Sequence, residues 1–257
     1  MTELMGVAAF DAALIVIAFS VAMLQSATGF GFGMIVGPML LAFLDITDAV
    51  QSTGILTFGI VVVLAPSLAR DCDRKTLVLL SAGTALGLPL GYILQVSVSK
   101  VMIHSLAVFV VAFVLVGLFR PRRSPAKPFG SRSKPWPGVG AGVLSGVMST
   151  ALAMPGPPAV GYLFRSGLAK IPIRATLVVL MIGSYAGMIG VHLFGQAISR
   201  TVIDQTIRLA PATLSGLIAG HFLASRISKR IFYLLTVLLL SGAFLSLAAA
   251  ILRSTER

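Results

Sequence analysis

The stretch LQSATGFGFGMIVGP, Leu24 to Pro38, decides how this chain is read. Four of its fifteen residues are glycine, yet long apolar runs lie on both sides. Glycine tolerates backbone conformations that other residues avoid, and it usually marks a turn at a surface. Inside so apolar a sequence it needs another explanation.

Composition narrows the choices. Of 257 residues, 57% are hydrophobic and only 11% charged, and the mean hydropathy is +0.99. A soluble domain carries roughly a quarter charged residues. That much apolar surface is expected in a membrane. The apolar runs are continuous rather than alternating at period two, so helices are expected and a porin-like barrel is rejected. Residues 1–11 hold Glu3 and Asp11 but no Lys or Arg. They do not resemble the basic start of a cleaved signal peptide. The single cysteine, Cys72, sits in the charged run RDCDRK, which reads as an exposed thiol and excludes a disulfide framework. The formal net charge of +12 gathers in the short gaps between apolar runs. That is the pattern of the positive-inside rule, so no nucleic-acid partner is expected.

Six runs reach the roughly 20 residues that a spanning helix needs. They lie near 49–69, 76–97, 101–119, 174–195, 205–225 and 230–252. Between the third and fourth is RPRRSPAKPFGSRSKPWP, residues 120–137, whose Arg, Lys, Pro and Ser predict a flexible linker. Trp136 at its end suits an interfacial anchor. The linker divides the chain into an N-terminal membrane repeat, 1–119, and a C-terminal one, 138–257. TALGLPLGYILQVSVSK (84–100) aligns without gaps on TLSGLIAGHFLASRISK (213–229), with seven identities in seventeen positions. Such internal repetition is a transporter trait, commonly in inverted orientation.

Each half also opens with a broken element. In the first, apolar residues 12–27 run into GFGFG and then only 34–44 before Asp45. In the second, 138–153 run into MPGPP and then a short piece before Arg165. The pieces after the breaks are too short to span, which predicts half-helices meeting inside the membrane. Non-helical backbone at that depth is tolerated only against protein or a watery cavity. Interrupted segments at matching places in two repeats point to a transporter's binding site. Gly29, Gly31 and Gly33 would bring backbone amides close to a ligand. Pro155, Gly156, Pro157 and Pro158 would do the same at the second break, with Pro suited to a helix start. Gln25, Ser26 and Thr28 are polar groups beside the first break, and Gln51 and Tyr185 are polar positions in apolar spans. All are candidate substrate ligands, with capping and helix-to-helix hydrogen bonding as the plain alternative. His192, in MIGSYAGMIGVHLF, is the candidate for proton coupling; His104 and His221 lie near helix ends. No catalytic triad, metal-spaced His/Cys group or HExxH occurs, so neither an enzyme nor a metal or other cofactor is expected. GFGFG also fails as a nucleotide loop, because Met34 stands where the third glycine belongs and no strand precedes it.

These residues resemble the TauE/SafE sulfite exporter family. The resemblance is carried by SATGFGFGMIVGPML (26–40), GVLSGVMS (142–149), MPGPPAVGYL (154–163) and the twin LG…GY…SK and SG…GH…SK segments. It implies a multi-pass protein of the bacterial inner membrane that moves small anions outward, notably sulfite or organosulfonates. Many members carry a longer glycine cluster in the second half, where this chain has MPGPP. The expected fold is all-α, with two homologous halves, each a broken or re-entrant hairpin plus three transmembrane helices, about eight membrane segments in all. The expected partners are a small anion and the lipid bilayer. Two alternatives stand beside sulfite or sulfonate export: a non-transporting scaffold, and a transporter of a small carboxylate.

Orientation follows from charge. If the linker is cytoplasmic and each broken element re-entrant, most of the 20 Lys and Arg residues fall on the cytoplasmic side, and more of them than with eight plain crossings. Both termini then lie outside. A cysteine introduced at Thr255 is expected to react with impermeant thiol reagents from outside the cell; labelling from the cytoplasm instead would favour eight plain crossings.

Overall fold

The computed structural model describes residues 2–41, 43–119, 136–195, 197–224, 226 and 228–255. Every regular element among them is a helix: α1 (Thr2–Thr28), α2 (Phe32–Leu40), α3 (Ile46–Leu68), α4 (Arg74–Ser97), α5 (Lys100–Phe119), α6 (Trp136–Leu152), α7 (Gly156–Arg165), α8 (Lys170–Gly195), α9 (Arg200–Ala224) and α10 (Lys229–Thr255). The six long runs read from the sequence become α3, α4, α5, α8, α9 and α10. Most of the linker, 120–135, lies outside the described residues. The second half begins two residues earlier than expected, since Trp136 and Pro137 already belong to α6, and Trp136 is 74% exposed.

In hydrocarbon, backbone N–H and C=O groups must be satisfied within the segment, so a helix is the only open-ended solution. Among the described residues, three helices are long and apolar enough to cross a membrane by length and composition: α3 with the 3-10 turn that extends it to Asp71, α4 and α8. Shorter apolar stretches lie at Ala12–Thr28, Val101–Val116 and Arg230–Leu245. Phe109, Phe113, Ile207, Leu238 and Leu245 turn outward, as suits a lipid-facing surface. Turns between spans carry local caps. At the start of α4, the Asp73 carboxylate accepts from the Thr76 N–H at 2.8 Å.

Two glycine seams hold the bundle. A Cβ on Gly83, Gly87 or Gly91 of α4 would fall on the Val139, Val143 or Val147 carbonyl oxygen of α6. Both series advance four residues at a time, so α4 and α6 run parallel and in backbone contact. The second seam pairs α9 with α1, where Gly216 meets the Phe19 carbonyl and Gly220 that of Met23. Gly87 and Gly91 are the residues that align with Gly216 and Gly220 in the repeat. Each seam also holds a matching hydrogen bond. Ser26 Oγ donates to the Leu217 carbonyl at 2.9 Å, and Thr150 Oγ1 lies 2.8 Å from that of Leu88.

The remaining contacts obey the same exchange. α3 packs on α9 as α8 packs on α4; α10 packs on α2 as α5 packs on α7; and α3 meets α8 as α5 meets α10. α3 and α8 are antiparallel, because Gly54 faces Met188 while the Asp73 N–H, just past α3, donates to Thr176 Oγ1 near the start of α8 at 3.0 Å. At one end of the bundle lie this contact and the stacked Phe164 and Phe232 rings, 5.7 Å apart. At the other end Ser199 Oγ donates to Asp48 at 2.9 Å, joining the starts of α9 and α3.

In lipid, where helices gain little from hydrophobicity, close backbone approach supplies the association. Gly87→Val is therefore expected to destabilise the detergent-solubilised protein by about 2 kcal/mol or more, as overpacking does. Gly59→Val, at a position with no neighbour within 4 Å, is the control. Equal melting temperatures for the two variants would contradict the seam.

Candidate functional site

The first break is shaped by two left-handed glycines, Gly29 at φ 92° and Gly31 at φ 126°. Around them the freed backbone groups are claimed locally. The Gly29 N–H donates to the Gln25 carbonyl at 2.6 Å, and Thr28 Oγ1 sits 2.8 Å from the carbonyl oxygens of Leu24 and Phe30. The Gln25 side chain then reaches over the break. Its Oε1 accepts from the Phe32 N–H at 2.6 Å and so caps the first turn of α2. The other half of that amide, Nε2, is buried and has no hydrogen-bond partner.

The second break replaces glycine with Ala153 at φ 54°, a left-handed conformation that costs a residue with a Cβ about 1–2 kcal/mol. It is held by the Ala153 and Met154 N–H groups, which donate to Ser149 and Met148 carbonyls at 2.9 and 3.0 Å. From α8, the Tyr185 hydroxyl donates to the Ala153 carbonyl at 3.0 Å. α7 starts at Gly156, followed by Pro157 and Pro158. These prolines fit a helix start, but they remove two of the N–H groups that such a start offers.

The two breaks touch. A Cβ on Gly33 would strike the Ala153 carbonyl oxygen and approach the Tyr185 hydroxyl. Gly156 faces Phe30, Met34 and Met181, and Gly37 faces the Leu152 carbonyl and Thr53. Tyr185 and Met181 belong to the middle of α8, so the crossing lies deep within the bundle.

Gln25, Ser26, Thr28, Gly29, Gly31 and Gly33 are thus gathered at one break, and Pro155, Gly156, Pro157 and Pro158 at the other, all of them buried. Tyr185 lies between. The Ser26 hydroxyl instead faces the α9 seam, and that of Thr28 is engaged by its own turn. Gln51 is on α3, buried, with neither amide atom hydrogen-bonded. Ser52 Oγ, Thr53 Oγ1 and Ser145 Oγ are also buried without partners. Leaving such a group unpaired costs about 1–3 kcal/mol.

His192 is not brought to the crossing. It lies two turns beyond Tyr185, about 10 Å along α8. Its Nδ1 is 2.9 Å from the Met188 carbonyl and its Nε2 is 2.8 Å from Gln95 Oε1, with Tyr92 edge-on at 5.5 Å. His104 is buried and His221 exposed. Among the described residues no three His, Cys, Asp or Glu side chains gather as a metal site.

Sequence reasoning missed two contacts. Gln95 was legible only as a lone amide in an apolar span. Arg174, at the start of the fourth apolar run, sends its guanidinium to the Ser26 carbonyl, with Nε at 3.1 Å.

Neither the curated proteins nor the solved structures yield a match. A family match covers residues 14–247, from within α1 to within α10, and takes in both breaks, both seams and the crossing between them. The chain belongs to the sulfite exporter TauE/SafE family, a family of membrane transporters.

Proposed function

We propose that this protein exports a small anion, sulfite or an organosulfonate, across the bacterial inner membrane, by alternating access of two inverted repeats around the crossed breaks. The observation that carries this is the buried, unpartnered Gln25 amide beside the start of α2, where a helix presents N–H groups and the positive end of its dipole. A sulfonate or sulfite oxygen would accept from Gln25 Nε2 and from backbone N–H groups of the GFGFG segment. α7 contributes less, because Pro157 and Pro158 have no N–H.

Helix directions support the inverted arrangement. α1 runs with α9, α4 with α6, and α3 against α8, so each of these helices opposes its repeat counterpart. α2 leads back from the first break toward the end where α3 starts, as a re-entrant hairpin requires. The orientation is supported by charge. Arg70, Arg74, Lys75, Arg165, Lys170, Arg174 and Arg230 gather at the end that holds the α7–α8 junction, where α5 stops and α6 and α10 start. The positive-inside rule makes that end cytoplasmic. A cytoplasm negative by about 100 mV then drives each negative charge outward with about 2.3 kcal/mol.

The structure also selects the informative mutation. Valine at Gly31 would have to adopt φ 126° and would press on Leu239, so Gly31→Val disturbs folding and is no clean probe of amide access. Gln25→Glu keeps an oxygen for the Phe32 N–H but replaces the unpartnered donor with a second oxygen and, when ionised, a negative charge that would repel an anion there. In a normally inserted protein it is expected to lower sulfite or sulfonate export at least tenfold in vesicles. Export at the parental rate would place the anion elsewhere.

A further inference from the structure

Arg174 stands one turn into α8 at the basic end of the bundle, and its side chain crosses to α1. Nε and Nη2 both donate to the Ser26 carbonyl, in the last turn before the first break. Gly29 lies against the Arg174 backbone carbonyl and its Cγ. The guanidinium is therefore pinned beside the break, on the side toward the linker, while Gln25 lies one residue from its anchor. A guanidinium carries five N–H donors in a planar fork, and one carbonyl oxygen leaves its Nη1 edge for something else. Among the described residues no carboxylate forms an ion pair with it. A partly buried charge without a counter-charge is costly, and this fork matches oxyanions bidentately.

The two ends of the bundle add a direction. Asp45 stands at the start of α3, at the opposite end of the bundle from Arg174 near the start of α8. Asp48 lies beside Asp45 in sequence, whereas Lys170 precedes Arg174 by one turn. The starts of α3 and α8, at the two ends of the bundle, thus bear opposite charge. A neutral capping role for α1 would need a donor but no such asymmetry.

We propose that Arg174 is an anion-capture residue at the linker-end mouth: its outer edge takes a small oxyanion of the sulfite or sulfonate class and passes it to the Gln25 amide, so that loading is favoured from that end. This rests on the transport reading above. The test uses the full chain in proteoliposomes, with sulfite supplied at one end or the other. Arg174→Gln is expected to raise KM about tenfold for sulfite at the linker end, with kcat and the opposite-end KM within twofold, and Arg174→Lys is expected to restore most of the loss. Equal changes in KM from both ends would overturn the proposal while leaving transport intact. A second readout needs no transport. Cys72 adjoins Asp73, whose N–H bonds Thr176 on α8, so the lone thiol reports the potential near Arg174. In detergent, Arg174→Gln is expected to slow its reaction with a sulfonate-bearing methanethiosulfonate about two- to threefold relative to a neutral one, the size expected for one charge at a partly screened surface. An unchanged ratio removes Arg174 as an attractor. An altered ratio in a protein that moves no sulfite would keep the attractor and refute the export reading.

Discussion

The constraint on which everything else depends is the absence of water in hydrocarbon. Each backbone amide there must find a partner within the chain, and a helix that stops at mid-depth leaves several without one. Here two helices, α1 and α6, stop among buried residues inside the bundle. Their loose ends are served by Gln25, Thr28 and Tyr185, and by left-handed residues that fold the chain back on itself. Such breaks are expensive as architecture. They make sense when the groups they present are needed by something that passes through.

The glycine seams explain how the breaks come together. Helices in direct backbone contact along α4–α6 and α1–α9 bring the ends of α1 and α6 to a fixed place, each guided by a helix of the other half. α8 then crosses both, with Tyr185 bonded to one break and Gly33 of the other packed beside it. The crossing is thus built between the halves rather than within either. A shift of the α1–α9 pair against the α4–α6 pair, with each seam intact, would change the spacing of the two helix starts without unfolding any helix.

Much of this was legible in the sequence. Run length and apolarity placed the six long helices within a few residues, because in lipid a continuous apolar run has essentially one outcome. The breaks were legible because GFGFG and MPGPP interrupt such runs. The glycine identities between 84–100 and 213–229 marked the seams, although sequence alone could not tell repeat ancestry from shared packing. What could not be read is the side-chain bonding. That Gln25 caps α2 across seven residues, that Ser26 faces α9 and that Arg174 bends toward α1 depend on three-dimensional neighbours. Ala153 was invisible for the same reason, since alanine carries no signal for a left-handed turn.

The hydrogen bonding of His192 bears on the choice of driving force. Both ring nitrogens face oxygen atoms, those of Met188 and Gln95. A doubly protonated ring donates to both; a neutral ring is equally well satisfied if the Gln95 amide turns to donate instead. The hydrogen bonds can therefore be satisfied in either charge state without moving a helix, although burial disfavours the charged ring. A proton-coupling residue must do the opposite, because its protonation has to favour one arrangement of the halves over the other. His192 is also only 1% exposed and lies about two turns from the crossing. The membrane potential needs no such relay. On the export reading it would act directly on the anion, and the basic residues at the start of α8 would serve to gather the anion at that end rather than to push it across.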